Sequence, residues 1–315
     1  MFLSCGDALF DLFAQTDADD KVGSAVHLSG NVGGSPMNVA AGLARLGHHS
    51  RYFTKLSTDV FGQRMRRYLQ HNKIDVTLCP DTNLNTTLAI VETRDDGSAQ
   101  YAFYTDNTAD VSIVANDLPS TLPDDIRVLH FGSYSTAVEP TSASLITLAA
   151  REKTRRLVSY DPNLRPTIEP DVDKWRDVFQ SLAASATLVK ASDEDIETLF
   201  GPSSEERFVA DCFSSGAQLV FITRGPEGAS GFLPDGTSAR MKGIAVDVID
   251  TVGAGDTFQS ATLHWLAAHN HIGDSAELNG EVDLSGCIQF AIKAAAITCT
   301  RKGADLPYLY ELPAI

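Results

Sequence analysis

The sequence is short of cationic residues and of long apolar runs. Its 315 residues contain 25 Lys and Arg against 41 Asp and Glu, giving a formal net charge of −16. This excess of acids argues against a nucleic-acid or anionic-membrane surface, so neither partner is expected. No run approaches the roughly 20 apolar residues that span a bilayer. The five scattered cysteines have no CxxC spacing, which predicts neither a zinc site nor a disulfide framework.

Several motifs of known enzymes are also missing. No GxxxxGK[ST] loop occurs, which excludes a P-loop nucleotide site, and no GxGxxG follows the first strand candidate. A dehydrogenase therefore loses its main support. HExxH and GxSxG are absent as well. The N-terminus enters a strand-like segment without a basic region or a long apolar run, so no signal peptide is predicted. With the scattered cysteines, this predicts a reduced, cytoplasmic protein.

The most informative stretch present is DTVGAGDTF, residues 250–258. The β-branched run before it, residues 244–249, predicts a strand, and the apolar spacing after it predicts a helix. The backbone amides of a glycine-rich turn at a helix N-terminus attract anions. A carboxylate beside a phosphate is unfavourable unless it takes part in the chemistry. Asp256 is therefore interpreted as a base next to a phosphate cradle.

The chain changes character near residue 126. Before it, strand candidates at 8–14, 25–28, 87–91 and 100–104 include a hairpin turn predicted at Asp95-Asp96-Gly97. After it, strands and helices alternate, which predicts a doubly wound, mostly parallel sheet with helices on both faces. We expect the early hairpins to form a small β-sheet lid from about residues 11–30 and 85–108. Residues 1–315 then make a single α/β domain.

Candidate site residues recur where predicted strands end. Ligands of open parallel sheets bind beyond the carboxyl ends of the strands. The residues that follow predicted strands in this way are Asp7, Asp11, Asp161, Asn163, Thr223, Gly225 and Asp256. This repeated placement predicts one shared site at that edge of the sheet.

A second glycine cluster, GGSPMNVAAGLARLG, occupies residues 33–47. Gly33 and Gly34 allow the backbone to approach a ligand closely, and Asn38 offers a donor and an acceptor that suit sugar hydroxyls. A plain tight turn with close helix packing is the alternative. The nearby Arg64, Arg66 and Arg67 are interpreted as a solvated helix face.

Together these motifs resemble the ribokinase-like (pfkB) carbohydrate kinase family. The resemblance covers nearly the whole chain in order, and includes DPNLRP at residues 161–166 and TRKGA at residues 300–304. It implies the ribokinase-like fold, with a core of nine or so strands under a β-lid. Within the family, the motifs GGSPMNVAAGLARLG and DPNLRP are most similar to those of bacterial fructokinases. The resemblance therefore implies an ATP-dependent kinase that phosphorylates a primary hydroxyl of a sugar, fructose first.

The resemblance also implies a role for each site residue. Asp256 is the general base, and the amides of Gly253, Ala254 and Gly255 form an anion hole for the phosphoryl group. Contacts to the sugar come from Asp11, Gly33, Gly34, Asn38 and Arg165. The ATP side comprises Thr223, Gly225, Gly228 and Lys190, and the metal residues are Asp195, Asp250 and Val252. The implied cofactors are ATP and Mg²⁺, with K⁺ as a further candidate, and a homodimer through the lid is expected.

Two departures from the family pattern bear on the substrate. The family's Asn-x-x-Glu element is replaced by Ser192-Asp193-Glu194-Asp195, so we expect metal support through water. An arginine common on the lid strand is replaced by residues 104–107, YTDN, which disfavours an acidic sugar. The alternatives left open are a 2-keto-3-deoxygluconate kinase, a nucleoside or aminoimidazole riboside kinase, and a non-catalytic sugar sensor.

Overall fold

The structure, a computed structural model, describes residues 1–15, 27–93 and 99–314. In chain order the strands are β1 (Phe2–Cys5), β2 (Leu9–Gln15), β3 (His27–Gly33), β4 (Ser50–Phe53), β5 (Leu56–Ser57), β6 (Asp81–Thr82), β7 (Thr87–Thr93), β8 (Ala99–Tyr104), β9 (Val128–Gly132), β10 (Leu157–Asp161), β11 (Leu188–Ser192), β12 (Leu219–Thr223), β13 (Ala229–Phe232) and β14 (Ser238–Met241). The helices are α1 (Ser35–Arg45), α2 (Val60–His71), α3 (Thr141–Glu152), α4 (Val172–Ala183), α5 (Asp193–Phe200), α6 (Glu205–Ser214), α7 (Ala254–Ala268) and α8 (Leu284–Cys299).

The main sheet has eight strands within these ranges, in the order β14-β13-β12-β11-β10-β9-β1-β4. Pairing is parallel from β4 across to β12 and antiparallel for β13 and β14 at one edge. Side chains of a strand alternate between the faces of its sheet. Accordingly, Leu3 packs in one apolar cluster with Trp175 of α4, whereas Phe2 packs in another with Phe258 of α7. The expected doubly wound α/β fold is confirmed.

A second sheet has the order β3-β2-β7-β8 in the described ranges and forms the predicted small β-sheet. One face of β2 carries Leu9, Asp11 and Phe13, which line a cavity over the edge of the main sheet. The opposite face carries Phe10 and Leu12, which pack in a cluster with residues of α1 and α2. The turn predicted at Asp95-Asp96-Gly97 lies outside the described residues.

The prediction of a strand at residues 244–249 was wrong. The last strand is β14, and the chain from residue 242 to α7 has no regular secondary structure. Val248 and Ile249 are 60% and 67% exposed, and the Ile249 N–H donates to the Cys299 carbonyl at the end of α8. The run is therefore exposed, and its last residue bonds to a helix end instead of a neighbouring strand.

No helix among the residues that the structure describes is both long enough and apolar enough to cross a membrane.

Candidate active site

A cavity of about 390 Å³ lies between the carboxyl edge of the main sheet, the small sheet and the start of α7. The first turn of α1 also reaches it. Of the predicted site residues, the structure brings together around this cavity Asp11, Gly34, Asn38, Arg165, Val252, Gly253, Gly255 and Asp256. Asp7, Asn163, Phe103 and Tyr134 complete much of the remaining wall.

Asp256 lies in the first turn of α7 and is only 6% exposed. Both carboxylate oxygens accept hydrogen bonds from α1: Ser35 Oγ donates to Oδ1 at 2.6 Å and Asn38 Nδ2 donates to Oδ2 at 2.8 Å. Each carboxylate oxygen has a second lone pair, so these bonds leave room for a further donor from the cavity. The arrangement holds a carboxylate in one orientation facing the cavity, as a general base requires.

The glycine turn before Asp256 presents free amides. Gly253 caps α7 with a left-handed φ of 79°, and the N–H groups of Gly253 and Gly255 donate no hydrogen bond within the described chain. Ala254 differs from the expectation. Its N–H donates to the Thr251 carbonyl at 3.2 Å, and Ala254 does not line the cavity. The turn therefore leaves two glycine amides, rather than three consecutive amides, free to bind an anion.

Lys190 lies behind this turn. A Cβ on Gly255 would be 3.1 Å from Lys190 Nζ, and that ammonium group pairs with Asp161 Oδ2 at 2.8 Å. Burial alone would lower the pKa of Lys190, but Asp161 and other nearby carboxylates outweigh it and raise that pKa above its ordinary value. The structure thus places the Lys190 ammonium group against the glycine turn and not along the lining of the cavity.

The side of the cavity for which sugar contacts were predicted contains Asp11. Burial raises the pKa of Asp11 to about 6, against the opposing charge of Arg165. Gly33 lies beside it, because a Cβ there would be 2.3 Å from Asp11 Oδ2. Gly34 has φ 121° and would place a Cβ 2.4 Å from the Asp7 carbonyl oxygen. Close approach of the backbone therefore requires glycine at position 34, whereas at Gly33 the close atoms belong to side chains.

Sequence reasoning placed Asp7 at this edge of the sheet but did not predict that it lies beside a second buried acid, Asp110. Asp7 is 1% exposed and accepts a hydrogen bond from Ser135 Oγ. Burial and the neighbouring carboxyl of Asp110 raise the pKa of Asp7 to about 7. Asp110 itself accepts from Tyr134 and Thr87. Ser35 was also missed as a site residue, and its position directly after Gly33-Gly34 was the only signal available.

Three predicted ATP-side residues lie outside this cavity. Thr223 ends β12 and pairs in register with Ser192 of β11, next to the strand that ends in Asp161. Gly225 and Gly228 follow with φ 47° and 92°. A Cβ on Gly228 would be 2.0 Å from the Met241 carbonyl oxygen, so this turn packs tightly on the end of β14. These residues lie farther along the carboxyl edge of the same sheet.

The predicted metal residues have structural contacts. Asp195 accepts from the Leu164 and Ser192 N–H groups, and Asp250 accepts from those of Val252 and Gly303. No cluster of three His, Cys, Asp or Glu side chains able to hold a metal occurs in the described ranges. Mg²⁺ in kinases uses one or two carboxylates together with substrate phosphates. The buried oxygens Asp161 Oδ1 and Asn163 Oδ1 have no hydrogen-bond partner and suit such an ion.

This fold and site define a small-molecule kinase of the α/β class. Residues 1–309 match the model of the pfkB family carbohydrate kinases, and the chain belongs to that family. A fructokinase from Rhizobium leguminosarum bv. trifolii is 36% identical over 270 residues, covering 86% of this chain and 81% of that protein. Fructokinase-1 from Zea mays is 33% identical and covers 96% of this chain and 93% of that protein.

Solved structures agree with the fold. A fructokinase double mutant from Vibrio cholerae O395, solved with fructose, ADP and a potassium ion, has a TM-score of 0.82 and 27% identity, over 99% of this chain and 97% of that chain. A sugar kinase from Pyrococcus horikoshii in complex with ATP has a TM-score of 0.81 and 26% identity, over 99% and 97% of the two chains.

Proposed function

We propose that this protein transfers the γ-phosphoryl group of ATP to the 6-hydroxyl of fructose. The observation that supports it most directly is Asp256, held by Ser35 and Asn38 beside two free glycine amides in one cavity. The similarity to fructokinases from a bacterium and from maize supports fructose as the acceptor.

In the proposed reaction, Asp256 accepts the proton of the sugar hydroxyl while the oxygen of that hydroxyl attacks the γ-phosphorus of ATP. The bond from that phosphorus to the bridging oxygen of ADP breaks, and the ADP oxygen takes the electron pair. Phosphoryl transfer depends mainly on positioning and on stabilising charge over the phosphoryl oxygens. The amides of Gly253 and Gly255, with the Lys190 charge behind them, supply that stabilisation.

The remaining residues divide between two substrates. The sugar would lie against Asp11, Gly34 and Asn38, with Arg165 on the same cavity wall. ATP would lie along the sheet edge at Thr223, Gly225 and Gly228, so that its γ-phosphate points to Asp256. Mg²⁺ would be held by the nucleotide phosphates with Asp161 and Asn163, directly or through water, and would neutralise phosphate charge. Asp250 and the Val252 loop are the proposed place for K⁺.

The charge of the cavity favours a neutral sugar. Its described lining contains the carboxylates of Asp7, Asp11 and Asp256 and one cationic side chain, Arg165. A carboxylated sugar such as 2-keto-3-deoxygluconate would meet net repulsion there. Nucleosides would find one aromatic ring of β8, Phe103, on the wall. Comparing turnover of fructose, ribose, 2-keto-3-deoxygluconate and aminoimidazole riboside tests this ranking, and preference for any of the last three overturns the choice of fructose.

The test of the mechanism is Asp256→Asn. We expect kcat to fall by several orders of magnitude, while calorimetry shows fructose binding nearly as tight as in the parent protein. Asp274→Asn, an exposed acid paired with Arg127, is the control and should leave kcat unchanged. Near-normal turnover of Asp256→Asn would exclude the proposed base. Loss of fructose binding together with turnover would instead assign Asp256 to sugar binding.

We also propose that the protein is cytoplasmic.

We further propose that two copies of the chain pair through the small sheet. Leu28 of β3 and Tyr104 of β8, on the two outer strands of that sheet, are 45% and 58% exposed. Exposed apolar side chains of this size favour a covering partner. Sedimentation equilibrium of the parent protein and of Leu28→Asp tests the dimer, which the aspartate should weaken.

A further inference from the structure

A second cavity, of about 570 Å³, lies on the other side of the small sheet from the candidate active site. Its walls come from β3, the outer face of α2, the end of α1 and the loop after α8. Five of its lining residues are basic and one is acidic: Arg45, Arg64, Arg67, His71, Lys302 and Asp305. We call it the basic pocket.

Most of the positive charge in the basic pocket is not neutralised. Arg45 pairs with Asp305 at 2.7 Å. Arg64, Arg67 and Lys302 form no ion pair with any residue that the structure describes. In a chain with a net charge of −16, cationic side chains would be expected to lie near acids and apart from one another. Their convergence on one concavity makes a local anion site.

Arg64 and Arg67 are exposed, as a solvated helix face predicts, but the three arginines do not share one direction. Arg66 points away and pairs with Asp81, whereas Arg64 and Arg67, three positions apart on α2, line the same pocket. Residues three apart lie on one face of a helix. Lys302 reaches the pocket from a segment more than two hundred residues away in sequence. Two chain segments thus present cations to a single ligand volume.

The shape and charge of the basic pocket indicate the class of ligand that fits it. Arginines bind phosphate oxygens through paired N–H groups, and Tyr68 and Phe10 supply apolar wall. The concave site suits a small molecule, and the acidic surface elsewhere disfavours a nucleic acid or an anionic membrane. A phosphorylated small molecule with at least two negative charges fits both features.

The loop after α8, which lines the basic pocket, contacts the turn before α7 in the candidate active site. Gly303 lines the pocket and its N–H donates to Asp250 Oδ2 at 2.8 Å. Ala304 also lines it, and a Cβ on Gly253 would be 2.7 Å from Ala304 Cβ. An anion bound by Lys302 would therefore act on the neighbouring residues Gly303 and Ala304, which pack against Asp250 and Gly253.

We propose that the basic pocket binds a dianionic organic phosphate and that this ligand changes turnover through the loop at Gly303. The binding does not depend on the proposed kinase reaction, whereas the effect on turnover rests on it. The site is separate from the ATP side, because none of Thr223, Gly225 or Gly228 lines it.

The test uses inorganic pyrophosphate and fructose 1,6-bisphosphate as probes. Each is titrated calorimetrically into protein that already holds fructose and a non-hydrolysable ATP analogue. The parent protein is compared with Arg64→Gln/Arg67→Gln and with Arg66→Gln, the matched control from the same helix. Thermal melting checks that all three proteins are folded, which is expected because Arg64 and Arg67 are exposed.

We expect one saturable site per chain, at least tenfold weaker in Arg64→Gln/Arg67→Gln and unchanged in Arg66→Gln. The same double variant should lose any effect of the probe on kcat or KM. Equal binding by all three proteins, or no saturable binding by the parent, overturns the proposal. If the parent phosphorylates none of the sugars tested, the proposed kinase substrate fails, while loss of binding in the double variant still supports the basic pocket.

Discussion

Ser35 Oγ donates a 2.6 Å hydrogen bond to Asp256 Oδ1 although 221 positions separate the two residues. The bond exists because α1 and α7 pack closely: a Cβ on Gly42 of α1 would lie 2.4 Å from Ser260 Oγ of α7. The first turns of both helices therefore meet at the cavity. The orientation of the proposed base depends on a helix from the other end of the chain.

Removing the hydrogen-bond donor that Ser35 offers to Asp256 should slow the reaction more than it weakens sugar binding. In Ser35→Ala we expect kcat to fall about 10- to 100-fold, because small misplacement of a reacting group costs rate on this scale. KM for fructose should change less than threefold. Ser35→Thr should restore part of kcat. Ser144→Ala, which removes a buried hydroxyl from α3 away from Asp256, is the control. An unchanged kcat in Ser35→Ala would show that Asp256 needs no such support.

Sugar binding should weaken in acid. The pKa of Asp11 is raised to about 6, so its carboxylate becomes protonated as the pH falls through that value. It then loses the charge-assisted hydrogen bonds that it would form with the sugar hydroxyls. KM for fructose should therefore rise as the pH is lowered from 7 to 5. Asp11→Asn should have a higher KM at pH 7 and a flatter profile. The same pH dependence in parent and variant would assign the titration to another group.

The buried pair of Lys190 and Asp161 should be costly to break. Lys190→Met leaves the Asp161 carboxylate buried without its partner, which typically lowers the free energy of unfolding by about 3–5 kcal/mol. Lys190→Met/Asp161→Asn should recover much of that loss. The control is Lys174→Met, which breaks a partly exposed pair with Glu169 and should cost at most about 1 kcal/mol. Urea unfolding measures all three, and equal losses for Lys190→Met and Lys174→Met would contradict the burial argument.

Gly34 should tolerate no side chain. Gly34→Ala combines a φ of 121° with a Cβ only 2.4 Å from the Asp7 carbonyl oxygen. Strain of the backbone alone costs about 1–3 kcal/mol, and the clash adds to it. Gly236→Ala has a φ of 91° but no atom within 4 Å of its Cβ, so it reports the strain alone. In denaturant unfolding Gly34→Ala should lose clearly more stability, and similar losses would show that the loop relaxes freely.

Local patterns in the sequence were enough for the fold and for part of the site. Strand–helix alternation predicts the doubly wound sheet because buried parallel strands and their covering helices have different hydrophobic periods. The glycines around Asp256 and at 33–34 are recognisable because turns and close approaches need residues without a Cβ. The β-branched run 244–249 misled the same reasoning, since it pairs with no strand and only Ile249 bonds to the end of α8.

The sequence by itself therefore determined the class of fold and an acid at a helix start, since both depend on neighbours within one or two turns of chain. Only the tertiary structure decided that Ser35 and Asn38 hold Asp256 and that Lys190 lies behind Gly255. It also decided that the Thr251 carbonyl accepts a hydrogen bond from the Ala254 N–H, and that Arg64, Arg67 and Lys302 converge on the basic pocket. These contacts follow from the packing of helices and loops distant in the chain, and no local periodicity records that packing.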